Sequence, residues 1–360
     1  WKNINKTIFL IIVLLFILGL FFSLASTSLI ASDKLDTNSY FFFFRHLIYI
    51  CIGICVIIFF SSLDQKNLLR ISILLFFVFL FTLVLVPIIG AEVKTAKRWL
   101  DLFFLPRFQP IEFLKPFIII FLATILSSKK KFHIYYKYFL SFIVILPIVL
   151  LLLMQPDIGQ TLLIFLSWLT LIFISGISLV IFFSFFGISF FTLLYLIFTI
   201  PRFEYIRSRI DSFFNPTTGT HAGQSEKAIE AITSGGFFGK GIGEGTLKNR
   251  VPEAHTDYII SAISEEFGVV VIILLLIIFL FFIYNVFKKI SLEKDEKIKL
   301  ILVGSITFIL TQTLIHLGVN IGLFPTTGMT LPYLSYGGSS IIGVSILSGF
   351  ILNLTKRKIK

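Results

Sequence analysis

The sequence is poor in charged residues: Asp, Glu, Lys and Arg make up 14% of its 360 residues, whereas hydrophobic residues make up 57%. No stretch has the mixed polar composition of a soluble globular domain, which argues against a separate soluble domain. We therefore expect residues 1–360 to form one domain embedded in a membrane.

Cysteine is also scarce, and the two cysteines, Cys51 and Cys55, lie in one apolar run at a spacing of four. Two cysteines on a regular helix rarely meet disulfide geometry without backbone movement. They are most simply small apolar helix residues. The chain also lacks a small-residue cleavage pattern after its first apolar run, which is too long for a cleaved signal, so we expect that run to remain in the protein.

Apolar runs long enough to cross a bilayer as helices recur along the whole chain. They span residues 7–32, 40–63, 68–90, 110–128, 138–154, 158–175, 177–200, 258–288, 298–321 and 331–355. The pattern predicts an all-α polytopic integral membrane protein with about ten transmembrane helices. One long extracytoplasmic loop, residues 201–257, is predicted between helices seven and eight.

The net charge of +12 is unevenly distributed. If both termini face the cytoplasm, the inner segments are 1–6, 61–70, 127–137, 288–299 and the residues from 356 onward. These segments together hold the whole positive excess, as the bias of cations toward the cytoplasmic side predicts. The basic composition therefore indicates the topology of the chain, not a nucleic-acid partner.

The loop 201–257 is far longer than a connector needs, and such loops are usually functional or disordered. Its stretch GQSEKAIEAITSGG has Ala228, Ile229 and Ile232 on one helical face and ends at two glycines. This pattern predicts an amphipathic helix at the membrane surface or dipping into it. The following GGFFGKGIGEG lacks the Gly-Lys-Ser/Thr ending of a P-loop, so we interpret it as a loop that can approach a ligand closely.

Charged and polar residues in membrane helices are costly and so mark candidate sites. Glu112 and Lys115, three residues apart on one face, are either a local ion pair or ligand contacts. At least one of Glu265 and Glu266 should face the bundle interior. The stripe Gln312, His316 and Asn320 is either an interhelical hydrogen-bond stripe or part of a site. Nearly all these groups lie in the predicted outer half of the helices. Their position favours a site that opens outward over a transport path through the midplane.

The predicted outer loop 91–109 contains Lys94, Lys97, Arg98 and Arg107 against only Glu92 and Asp101. Outer cations run against the topological bias, and Arg suits phosphate groups well. An anionic ligand explains them most simply; a solvated loop is the alternative.

With these residues in place, the chain resembles the SEDS family of shape, elongation, division and sporulation proteins, and more the division branch than the elongation branch. The resemblance spans nearly the full length. It rests on Arg98–Trp99, QPIEFLK (109–115), QPDIG (155–159), SGGFFGKG (234–241), PEAHTDY (252–258), EEFG (265–268) and FPTTGMTLPYLSYGGSS (324–340).

The resemblance implies a peptidoglycan glycosyltransferase that polymerises lipid II at the outer face of the cytoplasmic (inner) membrane during cell division. It implies a partner, a class B penicillin-binding protein that supplies transpeptidation. A lipid II flippase and a non-catalytic scaffold that recruits a synthase are the alternatives. Flippase activity is disfavoured by the apolar inner half of the predicted helices.

Without the resemblance, Asp257 would be read first as a helix-capping residue; the resemblance reverses this, because Asp257 matches the family's catalytic aspartate and is the candidate general base. Candidates for binding substrate or its pyrophosphate are Arg98, Lys115, Arg107, Glu112, His255, Arg207 and Arg209. Residues expected to support the site are Gln109, Gln155, Asp157, Glu265, His316, Ser335 and Ser339. No cofactor is certain; a divalent cation (Mg or Mn) is a candidate for sharing the pyrophosphate, without a dedicated metal motif.

Overall fold

The computed structural model describes residues 4–27, 40–93, 96–101, 106–128, 134–214, 222–251 and 253–356. In these ranges the chain forms twelve helices and a two-stranded antiparallel sheet. The helices are α1 (Lys6–Phe22), α2 (Phe41–Ser62), α3 (Gln65–Ile89), α4 (Pro110–Leu126), α5 (Ile134–Met154), α6 (Ile158–Ile174), α7 (Leu179–Thr199), α8 (Glu204–Phe214), α9 (Ala222–Gly235), α10 (Ile259–Ile290), α11 (Glu296–Asn320) and α12 (Gly338–Leu354). The strands are β1 (Ala91–Val93) and β2 (Ala96–Trp99).

The all-α fold class is confirmed, and each of the ten predicted apolar runs overlaps one of the helices α1–α7 and α10–α12. Within the described ranges, seven helices (α1, α2, α3, α5, α7, α10 and α11) are long and apolar enough to cross a membrane. The helices α4, α6 and α12 have 17 residues each. That all ten cross the membrane stays a prediction.

Two of the ten predicted helices differ from the structure, one in where it begins and one in being broken. The last helix begins at Gly338 rather than at residue 331, since Pro332 lacks an N–H and disfavours a helical conformation in the residue before it. The predicted uninterrupted helix 258–288 is broken at Gly268, whose φ of 79° suits glycine. The end of the first predicted helix, residues 28–32, lies outside the described residues.

The predicted helix over this stretch is confirmed as α9, and its predicted face is buried in part; its place at the membrane surface stays a prediction. Ala228 and Ala231 are fully buried, whereas Ile229 is 37% exposed. α9 packs on α10 through small residues, which allow a close approach of two backbones. The long segment after α7 is therefore folded against the bundle and includes α8 as well.

The hairpin β1–β2 was not predicted. Glu92 pairs with Lys97, and Leu100 forms an isolated bridge with Phe108. The bridge brings Phe108, two residues before α4, against the end of β2, so Arg98 and Arg107 lie at the same end of the bundle.

Most of the core is one connected hydrophobic cluster with members from Ile8 to Leu354, and a smaller cluster consists of Leu153, Ile197, Phe203 and Ile206. Most residues of α4 and nearly all residues of α12 are buried, so these two helices lie in the middle of the bundle. In α7 the buried residue is Ile197, so this helix lies at the periphery. The ends of α4, α10, α11 and α12 meet at the same end of the bundle, next to the hairpin.

Candidate functional site

A cavity of about 980 Å³ lies where these helix ends meet. Its polar wall comes from the hairpin, the start of α4, α8, the turn before α10 and the segment between α11 and α12. One side is apolar and includes Ile52, Phe79, Phe113 and Ile342. Seven of the predicted site residues line the cavity: Arg98, Arg107, Gln109, Glu112, Arg209, Asp257 and Ser339.

Asp257 lies in a tight turn directly before α10. The carbonyl oxygen of Glu253 accepts hydrogen bonds from the backbone N–H groups of Thr256, Asp257 and Tyr258 at 3.0, 3.1 and 3.3 Å. The N-cap position of α10 is occupied by Tyr258, so Asp257 precedes the cap by one residue. Its half-buried side chain faces the cavity opposite Gly328, where an added Cβ would lie 3.6 Å from Asp257 Oδ2.

Two neighbouring elements fix this turn. The side chain of Asn320 donates from Nδ2 to the carbonyl oxygen of Asp257 at 3.1 Å. Ser335 donates from Oγ to the carbonyl oxygen of Thr256 at 2.7 Å and accepts from the backbone N–H of Leu331 at 2.8 Å. The carboxylate of Asp257 is therefore held by a rigid backbone, and Ser335 supports the site from behind the cavity wall.

The segment between α11 and α12 forms one wall of the cavity. Gln312 Nε2 donates to the carbonyl oxygen of Thr330 at 2.9 Å, and His316 Nδ1 lies 2.8 Å from the carbonyl oxygen of Met329. With the bond from Asn320, all three members of the polar stripe on α11 make hydrogen bonds outside their helix. The interpretation of this stripe as a hydrogen-bond stripe is confirmed; His316 itself lies behind the wall.

Arg98 is held at the edge of the cavity by the turn between α5 and α6. Its Nε donates to the carbonyl oxygen of Gln155 at 3.1 Å and lies 3.9 Å from Asp157 Oδ2; its Nη2 donates to the carbonyl oxygen of Pro156. Asp157 also accepts from Gln109 Nε2 at 3.0 Å and from the backbone N–H of Gln160 at 3.3 Å. Gln155 and Asp157 thus position Arg98 without lining the cavity.

Glu112 and Lys115 form a buried ion pair, which confirms the first of their two interpretations. Lys115 Nζ lies 2.7 Å from Glu112 Oε2 and donates to Gln312 Oε1 at 3.2 Å. Glu112 Oε1 accepts from Gln160 Nε2 at 2.6 Å. Glu112 lines the cavity but Lys115 does not, so this geometry does not place the Lys115 ammonium against a ligand.

The two arginines of α8 differ. Arg209 is 8% exposed and lines the cavity; its Nη1 donates to the carbonyl oxygen of Thr326 at 2.7 Å and its Nη2 bonds the Tyr205 hydroxyl. Among the described residues, its buried Nε has no hydrogen-bond partner. Arg207 is exposed, lies 3.9 Å from Asp211 and does not line the cavity.

The remaining predicted residues vary in position. The ring of His255 lies against Phe42 and Tyr336, and its Nε2 is 3.9 Å from Glu253 Oε2. It does not line the cavity. Arg107 lines the cavity at its exposed edge and pairs with Asp101 at 3.0 Å, while the Ser339 hydroxyl accepts from the backbone N–H of Gln109 at 3.0 Å.

Glu265 and Glu266 are both buried, as predicted for at least one of them. Glu265 accepts from Lys240 Nζ and from the backbone N–H groups of Thr246, Leu247 and Lys248, at 2.6–3.2 Å. Glu266 accepts from the backbone N–H of Gly243 at 3.0 Å and pairs with the Lys248 ammonium. Both carboxylates hold the glycine-rich segment after α9, away from the cavity lining.

Replacing Glu265 by Ala should destabilise the protein, because three backbone N–H groups and one ammonium lose their acceptor. Each buried donor left unsatisfied costs about 1–3 kcal/mol. Glu265→Gln keeps an acceptor oxygen and should retain part of the stability. We expect the Tm of the detergent-solubilised protein to fall in the order wild type, Glu265→Gln, Glu265→Ala.

The exposed Glu244 of the same segment is the matched control for this experiment. Glu244→Ala should leave Tm close to that of the wild type. An unchanged Tm in Glu265→Ala would mean that this carboxylate does not hold the segment.

Sequence reasoning missed parts of the cavity. The wall residues Thr326–Met329 lie in the connection before the last helix, which Gly328 and Pro332 mark as non-helical. They belong to the stretch that carries the resemblance, but none of them was named as a site residue. Tyr205 and Gln224 come from α8 and α9 and carried no signal. The residues of the apolar side could not be recognised in the sequence either, since apolar residues occur throughout the chain.

A divalent cation has no obvious set of protein ligands. In the described ranges, no group of three or more His, Cys, Asp or Glu side chains is arranged to hold a metal ion. The carboxylates of Glu112, Glu253 and Asp257 line the cavity, but they do not converge as such a group.

The chain is similar to known proteins over nearly its whole length. The family model FtsW/RodA/SpoVE, described as "Cell cycle protein", matches residues 5–360. Two relatives named "Probable peptidoglycan glycosyltransferase FtsW" are those of Caulobacter vibrioides, 30% identical over 99% of this chain and 90% of that protein, and Nitrosomonas europaea, 35% identical over 95% and 90%.

Solved structures agree on the fold. One chain from a structure titled "Structural coordination of polymerization and crosslinking by a peptidoglycan synthase complex" has a TM-score of 0.82, 24% identity and coverage of 99% of this chain and 98% of that chain. Rod shape determining protein RodA of Thermus thermophilus has a TM-score of 0.71, 23% identity and coverage of 99% and 97%. The protein is a multi-span membrane protein, and it belongs to the FtsW/RodA/SpoVE family of cell cycle proteins.

Proposed function

We propose that this protein is a peptidoglycan glycosyltransferase that polymerises lipid II during cell division, at the outer face of the cytoplasmic membrane. The observation that carries the proposal is a carboxylate, Asp257, on a rigid turn in a cavity that also contains Arg98 and Arg209. The names of the relatives support the same activity.

In the proposed reaction, Asp257 accepts the proton of the sugar 4-hydroxyl of one lipid-linked disaccharide. The hydroxyl oxygen forms a bond to the anomeric carbon of the growing chain, and the bond from that carbon to the polyprenyl pyrophosphate breaks. Pyrophosphate leaves as a stable anion and needs no proton, so a single carboxylate suffices where an inverting glycosidase needs two.

The cations would hold the anionic groups of two substrates. Arg98 and Arg107 reach the cavity from the hairpin side, and Arg209 reaches it from α8. Because a polymerase must bind two lipid-linked molecules at once, two separate cationic positions suit the reaction. We assign Lys115 a structural role beneath the cavity, as the counter-ion of Glu112.

The alternatives lose support from the same geometry. A flippase needs a polar path across the whole bilayer, whereas the cavity lining extends along α2 only to Ile52, near the middle of that helix, and along α12 only to Ile342. A scaffold does not require a carboxylate and arginines around a cavity. Polymerisation of purified lipid II, with and without a class B penicillin-binding protein as partner, tests the proposal; absence of polymer in both reactions contradicts it.

The proposed topology places both termini in the cytoplasm and α9 outside. After replacement of Cys51 and Cys55 by Ser, a cysteine at the exposed Glu226 of α9 should react with a membrane-impermeant maleimide in intact cells. A cysteine at the exposed Lys294, between α10 and α11, should react only after the membrane is permeabilised. The reverse pattern would place the cavity in the cytoplasm and exclude the proposed reaction.

Replacing Arg98 by Ala should lower turnover of lipid II, because a cation at the cavity edge is lost. Arg98→Lys should restore activity only in part, since an ammonium cannot reproduce the bidentate geometry of a guanidinium. Steady-state polymerisation rates of the purified variants measure both effects.

Arg207 offers a matched control, because it lies on the same side of the bundle as Arg209 but off the cavity. Arg207→Ala should polymerise lipid II at close to the wild-type rate. Full activity of Arg98→Ala would remove Arg98 from the proposed anion site.

A further inference from the structure

The glycine-rich turn after α9 is built into the break in α10. The backbone N–H groups of Val269 and Val270 donate to the carbonyl oxygens of Gly236 and Phe237 at 3.0 and 3.2 Å. In return, the N–H groups of Lys240 and Gly241 donate to the carbonyl oxygens of Glu265 and Glu266 at 2.9 and 3.0 Å. This exchange fixes residues 236–241, the turn, at the level of residues 265–270.

That level coincides with a boundary in the sequence of α10. From Phe267 to Phe287 the helix has no charged residue, and at 1.5 Å per residue this stretch is about 30 Å long. Its length equals the thickness of a bilayer's hydrocarbon core, about 30 Å. Glu265 and Glu266 precede it and Lys288 and Lys289 follow it, so Phe267 marks one edge of the hydrocarbon.

The path of the chain leads to this edge and away from it again. α9 begins near the cavity, which Gln224 lines, and ends at Gly235, where an added Cβ would collide with the carbonyl oxygen of Ser264. After the turn, the chain returns to Lys248, whose ammonium pairs with Glu266. The turn is therefore the part of this segment that lies deepest toward the membrane.

Two aromatic side chains at the turn point away from the protein. Phe237 is 76% exposed and Phe238 is 84% exposed. Large rings exposed to water forgo the free-energy gain of burial. At the edge of the hydrocarbon the same rings would lie among lipid acyl chains.

We propose that Phe237 and Phe238 insert into the bilayer and that the turn is a membrane-binding tip whose partner is the lipid surface. The ammonium of Lys240, two residues after Phe238, pairs with the buried Glu265 at 3.2 Å and so does not face the lipid as an unpaired charge. The tip anchors α9 to the membrane, although the helix itself packs on protein.

Insertion also sets the height of Asp257. The helix from Ile259 to Phe267 rises by about 12 Å, so the carboxylate lies that far above the hydrocarbon edge. This consequence rests on the proposed function, since it places the base beyond the level of a lipid's phosphate groups, where the sugars begin. Insertion itself does not depend on activity.

Tryptophan fluorescence in vesicles of phosphatidylcholine brominated on the acyl chains tests the insertion. The full-length Phe238→Trp variant, without a partner protein, should fluoresce less in brominated than in unbrominated vesicles. The signal of the three native tryptophans is subtracted first. Phe281→Trp, within the apolar stretch of α10 and 49% exposed, is the positive control. Glu244→Trp, exposed in the same segment, is the matched control and should lose little.

Phe237→Trp is the second probe, in case one replacement disturbs the turn. Loss of fluorescence in either Phe variant clearly above that of Glu244→Trp supports insertion. Loss no greater than that of Glu244→Trp in both variants overturns it, and would leave a partner protein as the occupant of this surface. An inactive but inserted protein would contradict only the proposed function.

Discussion

Replacing Asp257 by Asn should abolish glycan polymerisation, with a rate loss of about 10²–10⁴-fold, the contribution typical of a general base. Asn has nearly the size of Asp but cannot accept the proton of the attacking hydroxyl. Because the turn is held by backbone bonds to Glu253 and by Asn320 and Ser335, expression and partner binding should stay close to normal. Polymerisation of lipid II by the purified variant is the measurement.

A capping role for Asp257 gives the opposite expectation, since Asn caps helices about as well as Asp. The structure weakens that role, because Tyr258 occupies the N-cap position of α10. Asp257→Glu should also be badly impaired, since its displaced carboxylate loses the hydrogen-bond reach that a general base needs.

The exposed Asp211 of α8, off the cavity, is a matched control, and Asp211→Asn should remain active. If Asp257→Asn polymerises lipid II at near wild-type rate, the base lies elsewhere. Glu265 and Glu266 are poor candidates for the base, because both are buried against the glycine-rich segment.

The positions of the helices followed from the sequence because the bilayer imposes a length of apolar residues. Details that depend on protein–protein packing did not follow. The buried face of α9 combines the predicted Ala228 with Ala231, since small residues suit close helix contacts, whereas Ile229 of the predicted face is 37% exposed. The break at Gly268 could not be predicted, because it exists only with the turn that satisfies its free backbone groups.

Only part of the site was predicted, because side-chain contacts also depend on packing. Asp257, Arg98 and Arg209 were named from the resemblance and from the cost of charge near a membrane, and all three line the cavity. Whether a buried lysine faces a ligand or a carboxylate depends on rotamers and neighbours that sequence does not give. Lys115 is the example: Glu112 and Gln312 surround it.

The ion pair of Lys115 and Glu112 gives the second large expected effect. Lys115→Met leaves Glu112 buried without its counter-ion, and breaking one partner of such a pair costs about 3–5 kcal/mol. Tm should therefore fall sharply, and lost activity should follow lost folding. A ligand-binding lysine would instead lower activity while Tm stayed near that of the wild type.

The double variant Glu112→Gln with Lys115→Met separates the two roles. It removes both charges, and the Gln side chain can still bond Gln160, so Tm should recover much of the loss seen in Lys115→Met. The exposed pair of Arg207 and Asp211 is the control, because Arg207→Met should cost less than about 1 kcal/mol. A double variant with the low Tm of Lys115→Met would show that the charges are not coupled, and normal Tm with lost turnover in Lys115→Met would return the ammonium to the substrate.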